Sequence, residues 1–366
     1  MSHDSTETIE KGERMTQQAP YGAADGLVRV YPADAAAARP TAGLVWAHGG
    51  GFAAGDLDMP EADWVARAFA ARGLTVVSID YRLAVDAAGR YPAGSDDVLA
   101  AWRWALANAD ELGVDPSRLL AGGASAGANL VTGTVLRLLG HPTHSDSAGG
   151  APAPGATPEA APETRAPSAA LTPPPAAGPA PSGPLPAGVF IAYPTLLAVQ
   201  PAPDAALRAL LDANPVADRF GPDVVRAMYE NYLGGPVDGA PLPAVPGLAA
   251  PADLSGFPPV LMVNGEADEL RVSGEAFAAT LAAASVPVEV VTEPGTEHGH
   301  LNRPSEPAAS VTVDRVVRWA ADLETSAART PPSRVGDLGG PAIADSAKIA
   351  HSRTQTTLRT TEGLTP

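Results

Sequence analysis

The segment Arg118-Leu119-Leu120-Ala121-Gly122-Gly123-Ala124-Ser125-Ala126-Gly127 joins a short apolar strand to a predicted helix. Its second half fits Gly-x-Ser-x-Gly, in which small residues let strand and helix approach closely around an exposed serine hydroxyl. The N-terminus of the helix adds a positive field beside that hydroxyl. The pattern indicates a nucleophilic serine, Ser125, although an ordinary glycine-rich turn is the alternative for this segment taken alone.

On both sides of this segment, apolar strands alternate with helices. Strands are predicted at 27–31, 43–47, 74–79, 118–122, 188–192, 260–263 and 288–291. Helices are predicted at 61–72, at 96–112, around 313–323 and, after the strand at 118–122, through Leu130, Val135 and Leu138. Ser95 is the predicted cap of the helix at 96–112. The alternation predicts an α/β fold with a mostly parallel central sheet flanked by helices. A ligand then lies beyond the carboxyl ends of the strands. We therefore expect the site in the loops after Ala47, Gly122, Val263 and Val291.

Three segments lack this pattern. Residues 1–26 are polar and without periodicity, which predicts a flexible leader, and residues 329–366 predict a disordered tail. Residues 141–186 are dense in Pro, Ala, Gly and Ser, which predicts a disordered insertion without chemistry. We expect its removal, from Thr143 to Ser182, to leave turnover and melting temperature nearly unchanged. The folded domain is expected to span 27–328.

The composition limits the possible functions. The chain has 366 residues and a formal net charge of −17, and an acidic surface repels nucleic acid. Cysteine is absent, which excludes a disulfide framework, a thiolate nucleophile and a cysteine metal site. The sequence has no apolar run that could span a bilayer, and its N-terminal segment has no apolar core typical of a secretory signal. We expect a cytoplasmic protein without a membrane span.

A second glycine-rich loop, His48-Gly49-Gly50-Gly51-Phe52, follows the strand at 43–47. Glycine leaves the backbone N–H groups unobstructed, so such a loop can turn them toward a developing negative charge. We expect an oxyanion hole built from the N–H groups of Gly50, Gly51 and Ala126, with His48 bracing the loop. A phosphate-binding loop is the alternative, but neither G-x-x-x-x-G-K-[ST] nor G-x-G-x-x-G is present.

Candidate acids and bases follow the late strands. Asp268 lies just after the strand at 260–263, where a carboxylate can accept a bond from imidazole Nδ1, but Glu266 and Glu269 are rivals. His298 and His300 follow the strand at 288–291. Their spacing also fits a metal site, yet no further His or Cys is placed to complete one, so no metal is predicted. The remaining histidines are His48 and four in segments predicted to be disordered, His3, His141, His144 and His351.

Together these motifs resemble the hormone-sensitive-lipase-like branch of the α/β-hydrolases, a family of carboxylesterases and lipases. The family's Asp-x-Leu motif selects Asp268 over its neighbours, and its Pro-Gly…His-Gly motif selects His298 over His300. The order Ser125, Asp268, His298 is that of nucleophile, acid and base in this family. The resemblance covers about 27–324 and implies the α/β-hydrolase fold with a small helical cap at about 203–233. The matching residues are His48 to Gly51 with Gly55-Asp56, Asp80 to Ala84, Pro92-Ala93 with Asp97-Val98, Asp115 to Arg118, Ser125 to Gly127, Asp268 to Leu270, and Pro294-Gly295 with His298-Gly299.

The resemblance implies a carboxylic ester hydrolase. Ser125 would attack the ester, His298 would act as general base, and Asp268 would orient the histidine, with an acyl-enzyme as intermediate. Short- to medium-chain acyl esters are the implied substrates, and no cofactor is implied. Two alternatives remain: a non-catalytic small-molecule-binding member of the same fold, and an amidase or peptidase that uses the same residues. The only predicted partner is a small-molecule ester.

The chain departs from the family pattern at four positions. Ala124 stands where the family has an acidic residue, Val85 and Asp86 follow the Asp80 to Ala84 motif, and His300 replaces a phenylalanine. We expect these residues to border the acyl or alcohol pocket and so to affect which size of substrate the pocket accepts.

Overall fold

Eight strands form one sheet in the computed structural model, which describes residues 18–144 and 182–329. The strand order is β1-β2-β4-β3-β5-β6-β7-β8. β1 pairs antiparallel with β2, and β2 pairs antiparallel with β4. The other five pairings of the sheet are parallel. This confirms the predicted α/β fold with a mostly parallel sheet. The strands are β1 (Tyr21–Ala23), β2 (Val28–Tyr31), β3 (Thr41–Ala47), β4 (Thr75–Ile79), β5 (Val114–Ala124), β6 (Val189–Ala192), β7 (Val260–Ala267) and β8 (Val288–Glu297).

Helices cover both faces of this sheet. On β3, Val45 and Ala47 pack into the core beneath α2, α4 and α7, whereas Leu44 and Trp46 pack beneath α1 and α8. Because both faces are buried, the strands are apolar without alternation, which explains their continuous apolar runs. The helices are α1 (Asp63–Ala70), α2 (Ala93–Ala107), α3 (Ala109–Leu112), α4 (Ala126–Leu138), α5 (Ala205–Ala213), α6 (Pro222–Leu233), α7 (Arg271–Ala283) and α8 (Pro307–Arg329).

Helices α5 and α6 occupy the segment 203–233, where the cap is expected. Asp204 caps α5 by accepting the Leu207 N–H at 2.7 Å. α6 is tied to the body of the fold because Tyr232 stacks on Phe52, with ring centroids 4.0 Å apart. Phe52 is the last residue of the glycine-rich loop, so the cap packs beside that loop.

Three local features differ from the sequence predictions. Tyr21–Ala23 forms a strand inside the predicted leader, because its backbone pairs antiparallel with β2. Ser95 is not a cap: α2 already begins at Ala93, and the Ser95 hydroxyl accepts a bond from Arg137 at 2.8 Å. Helix α7 was not predicted from the sequence at all.

The leader, the insertion and the tail lie largely beyond what the structure describes. Residues 1–17, 145–181 and 330–366 are outside the described residues, so these three predictions remain predictions. None of the helices within residues 18–144 and 182–329 combines the length and the apolar character of a membrane span.

Candidate active site

Ser125 stands at the junction of β5 and α4 in a backbone conformation that few residues adopt, with φ 52° and ψ −115°. A Cβ atom on Gly123 would lie only 2.5 Å from the carbonyl carbon of Gly127. A Cβ atom on Gly127 would overlap the carbonyl oxygens of Ala47 and His48. The two glycines of Gly-x-Ser-x-Gly are therefore required sterically, because strand and helix meet here without room for a side chain. Such a conformation typically costs about 1–3 kcal/mol and is held by its surroundings.

The structure brings Ser125, His298 and Asp268 together. His298 Nε2 lies 3.0 Å from Ser125 Oγ, and His298 Nδ1 lies 2.8 Å from Asp268 Oδ2. Asp268 is fully buried, and its other oxygen accepts the Leu270 N–H at 3.0 Å. A carboxylate only accepts hydrogen bonds, so the imidazole proton sits on Nδ1 and leaves Nε2 free to accept from the serine.

Sheet register sets the distance between acid and base. Ala267 on β7 pairs with Glu297 on β8, and Asp268 and His298 are the residues that follow this pair. Two aromatic rings then limit rotation of the imidazole: Phe220 and Tyr193 pack edge-on against His298, with centroids 4.5 and 5.0 Å away. Neither ring was predicted from a sequence motif: Phe220 belongs to the cap, and Tyr193 is the residue after β6.

Gly50 and Gly51 line the same cavity as Ser125. The Gly49 carbonyl oxygen lies 2.6 Å from His48 Nδ1 and 3.3 Å from the Tyr81 hydroxyl, whose nearer acceptor is the His48 carbonyl oxygen at 2.9 Å. In a trans peptide the N–H points away from the C=O. Holding the Gly49 carbonyl on the His48 side therefore aims the Gly50 N–H in the opposite direction.

The next peptide is fixed in the same way. The Gly50 carbonyl accepts the N–H groups of Ala53 and Ala54 at 3.2 and 2.9 Å, which orients the Gly51 N–H. Gly50 has φ 124°, and a Cβ there would overlap the Ala54 carbonyl oxygen. Ala126 is the first residue of α4, and such a residue has no intrahelical acceptor for its N–H.

A buried acid that sequence analysis did not single out supports this loop. Glu61 is 1% exposed, and its carboxylate accepts the Gly49 N–H, the Tyr193 hydroxyl at 2.6 Å and the Asn302 amide at 2.9 Å. Burial, with the Glu61 carboxylate nearby, raises the pKa of Tyr193 well above its ordinary value. In the sequence, Glu61 resembled an ordinary acid at the start of a helix, so only its buried position reveals it.

The two alternative acids, Glu266 and Glu269, accept hydrogen bonds from backbone N–H groups and not from His298. Glu266 accepts the Gly295 N–H at 2.8 Å, and Glu269 accepts the Phe220 N–H. Burial raises the pKa of Glu269. Neither carboxylate is hydrogen-bonded to His298, so the structure leaves Asp268 as the acid beside the imidazole.

The second histidine of the His-x-His pair faces away from the site. His300 is fully buried, and its Nε2 lies 2.9 Å from Thr312 Oγ1. Burial lowers the pKa of His300 to about 4. Across residues 18–144 and 182–329, no three His, Asp or Glu side chains are grouped so that they could hold a metal ion.

The candidate site opens into a cavity of about 560 Å³. None of the four departures from the family pattern lines it, so our expectation that they border the pocket is wrong for this cavity. Ala124 and His300 are fully buried in the protein core, and Val85 and Asp86 are exposed on the surface. The lining residues are Gly50, Gly51, Ala54, Met59, Glu61, Ser125, Arg219, Phe220, His298, Gly299, Asn302 and Arg303.

Comparison with known proteins agrees with this architecture. Residues 44–302 match the sequence family described as alpha/beta hydrolase fold, and the chain belongs to that family. Within it, the chain lies in the hormone-sensitive-lipase-like branch. The solved structure titled brefeldin A esterase, a bacterial homologue of human hormone sensitive lipase, aligns with a TM-score of 0.59 and 25% identity. That alignment covers 84% of this chain and 76% of the other.

Two curated relatives from Mycobacterium tuberculosis are similar in sequence. The carboxylesterase NlhH is 36% identical over 263 residues, which cover 71% of this chain and 66% of NlhH. The esterase LipI is 29% identical over 280 residues, which cover 74% of this chain and 70% of LipI. The match thus spans just under two thirds of the length of NlhH.

Proposed function

We propose that this protein is a carboxylic ester hydrolase that works through Ser125, His298 and Asp268. The observation that carries the proposal is the imidazole of His298, which bridges the serine and the buried carboxylate inside one cavity. The esterase and carboxylesterase relatives support the same reaction class.

The first half of the reaction forms an acyl-enzyme. The Ser125 hydroxyl attacks the ester carbonyl while His298 Nε2 takes its proton, and Asp268 stabilises the resulting imidazolium. The imidazolium then protonates the leaving alkoxide, which departs as the alcohol. The negative charge on the tetrahedral intermediate is met by the N–H groups of Gly50, Gly51 and Ala126. Loss of one such donor typically lowers turnover by about 10²–10³-fold.

The second half releases the acid. His298 takes a proton from a water molecule, and the hydroxide attacks the acyl-enzyme carbonyl in the same oxyanion hole. Collapse of this intermediate returns the proton to Ser125 and frees the carboxylic acid. No cofactor takes part in these steps. We propose short- to medium-chain acyl esters as substrates, which the open cavity of about 560 Å³ can accommodate.

The test is mass spectrometry after treatment with a fluorophosphonate probe. We expect one adduct on Ser125 of the wild-type protein, no adduct in Ser125→Ala, and strongly slowed labelling in His298→Ala. Absence of an adduct on the folded wild-type protein would contradict the proposal and favour a binding protein of the same fold.

A substrate panel separates the ester reaction from amide cleavage. We expect 4-nitrophenyl esters of short and medium acyl chains to be hydrolysed much faster than the matching 4-nitroanilides. A preference for the anilides would replace the ester hydrolase by an amidase that uses the same residues.

A further inference from the structure

Two arginines stand on the wall of the cavity that holds Ser125. Arg219 lies in the loop between α5 and α6, and Arg303 follows the short turn His300–Asn302. The Nη2 atom of each donates to the same acceptor, the carbonyl oxygen of His298, at 3.2 and 3.3 Å. Two guanidinium groups thus converge beside the general base, and like charges this close repel unless an anion lies between them.

The two arginines differ in how their charge is balanced. Arg303 is bonded to Glu297 at 3.1 Å and to Glu306 at 3.3 Å. Arg219 has no carboxylate oxygen within 4 Å in the described parts of the chain; its guanidinium carbon lies 5.5 Å from the ring centre of Phe220. Glu297 is bonded to Arg303 at 3.1 Å and to the Asn214 amide at 2.6 Å; it forms no ion pair with Arg219, whose charge acts on Glu297 from farther away and helps to lower its pKa.

The remaining charge on the cavity wall does not offset Arg219 either. Glu61 is the other charged residue of the lining, and its carboxylate is buried and engaged by Gly49, Tyr193 and Asn302. Arg219 is therefore a guanidinium of the cavity lining that forms no ion pair among the described residues, although the whole chain has a net charge of −17.

We propose that Arg219 and Arg303 form a subsite for an anionic group of the substrate, and that the preferred esters carry a carboxylate. This inference rests on the proposed ester hydrolase and names its substrate class. A guanidinium presents a planar fork of donors that matches a carboxylate in two parallel hydrogen bonds. Arg219 supplies the uncommitted donors, and Arg303 stands beside it, since both guanidinium groups donate to the His298 carbonyl oxygen.

The experiment compares each anionic ester with its neutral methyl ester. One pair is mono-4-nitrophenyl adipate and 4-nitrophenyl methyl adipate, with the charge on the acyl side. The other pair is 4-acetoxybenzoate and methyl 4-acetoxybenzoate, with the charge on the alcohol side. The kcat/KM ratio within each pair is measured for wild type, Arg219→Gln and Arg226→Gln. Arg226 is exposed on α6 and outside the cavity lining, so its variant controls for loss of one charge from the cap.

For the pair whose carboxylate reaches the subsite, we expect Arg219→Gln to lower the anionic-to-neutral ratio about tenfold or more, mainly through KM. Arg226→Gln should leave the ratio within about twofold, and added NaCl should lower the wild-type ratio. Arg219→Lys, which keeps the charge but loses the fork, should fall between wild type and Arg219→Gln.

Two results would overturn the inference and leave the proposed function standing. One is an equal loss of turnover on both members of each pair, which would make Arg219 only an anchor for the His298 loop. The other is a ratio that Arg219→Gln does not change. Failure of every ester, together with no fluorophosphonate adduct on Ser125, would instead overturn the proposed function and this inference with it.

Discussion

Gly49 donates its backbone N–H to the buried carboxylate of Glu61, and this bond joins the glycine loop to the segment that leads into α1. The same carboxylate accepts bonds from Tyr193, just after β6, and from Asn302, beyond His298. One side chain thus fixes three parts of the chain that meet at the cavity. We infer that Glu61 is a positioning residue for the oxyanion hole, since the peptide that follows Gly49 carries the Gly50 N–H.

We expect Glu61→Gln to lower kcat for a neutral 4-nitrophenyl ester by about 10- to 100-fold, with KM little changed. All three partners donate to Glu61, so the amide nitrogen of glutamine meets at least one donor where it needs an acceptor. Steady-state kinetics measure the effect, with Glu230→Gln, an exposed change on α6, as the matched control. Unchanged kcat in a folded Glu61→Gln protein would show that the loop holds its shape without the carboxylate.

A methyl group at Gly123 should abolish the site. Its Cβ would lie 2.5 Å from the Gly127 carbonyl, so α4 must move away from β5 and carry Ser125 with it. We expect Gly123→Ala to lose fluorophosphonate labelling and about 1–3 kcal/mol of unfolding free energy, read from urea denaturation. The control is Gly235→Ala, because a Cβ at Gly235 meets nothing within 4 Å. Normal labelling of Gly123→Ala would mean that the turn can widen without cost.

The strand ends that carry the chemistry were predictable because apolar runs and motif loops alternate along the chain. The choice of Asp268 over Glu269 could not be predicted from strand position, because both residues follow β7 and only the family motif distinguishes them. The hydrogen bond between Glu61 and Asn302 could not be predicted, because 241 positions separate the two residues and neither belongs to a motif. Helix α7 was missed because its buried side includes Ser273 and Gly274, which blur the apolar stripe.

His300 should make the stability of the fold depend on pH. Burial lowers its pKa from 6.5 to about 4, so protonation favours the unfolded chain. Its contribution is complete above pH 6.5 and is lost as the pH falls toward 4. We expect wild type to lose about 1 kcal/mol more than His300→Phe between pH 7.5 and 5.5. Urea denaturation at the two pH values measures the difference, and parallel losses in both proteins would contradict it.

We propose that the segment between His144 and Ser182 is dispensable for ester turnover. The Ser182 N–H donates to the Leu138 carbonyl oxygen at 2.7 Å, and its hydroxyl donates to the Arg137 carbonyl oxygen at 3.1 Å, so the chain returns beside the end of α4. A short Gly-Ser linker in place of residues 145–181 keeps these bonds, which deletion through Ser182 would remove.

We expect the shortened protein to keep kcat/KM within about twofold and its melting temperature within a few degrees. A large loss in either measurement would assign the segment a role in the site or in the fold.

The pairing of Ala267 with Glu297 places His298, the proposed general base, directly after the last strand of the described sheet, which has a partner on one side only. Opening of β8 breaks a single ladder and separates His298 from Asp268 while the other strands stay paired. Such local opening requires less free energy than global unfolding. The lifetime of the proposed ester hydrolase activity and the lifetime of the fold are therefore different quantities, because detachment of one outer strand ends the first and not the second.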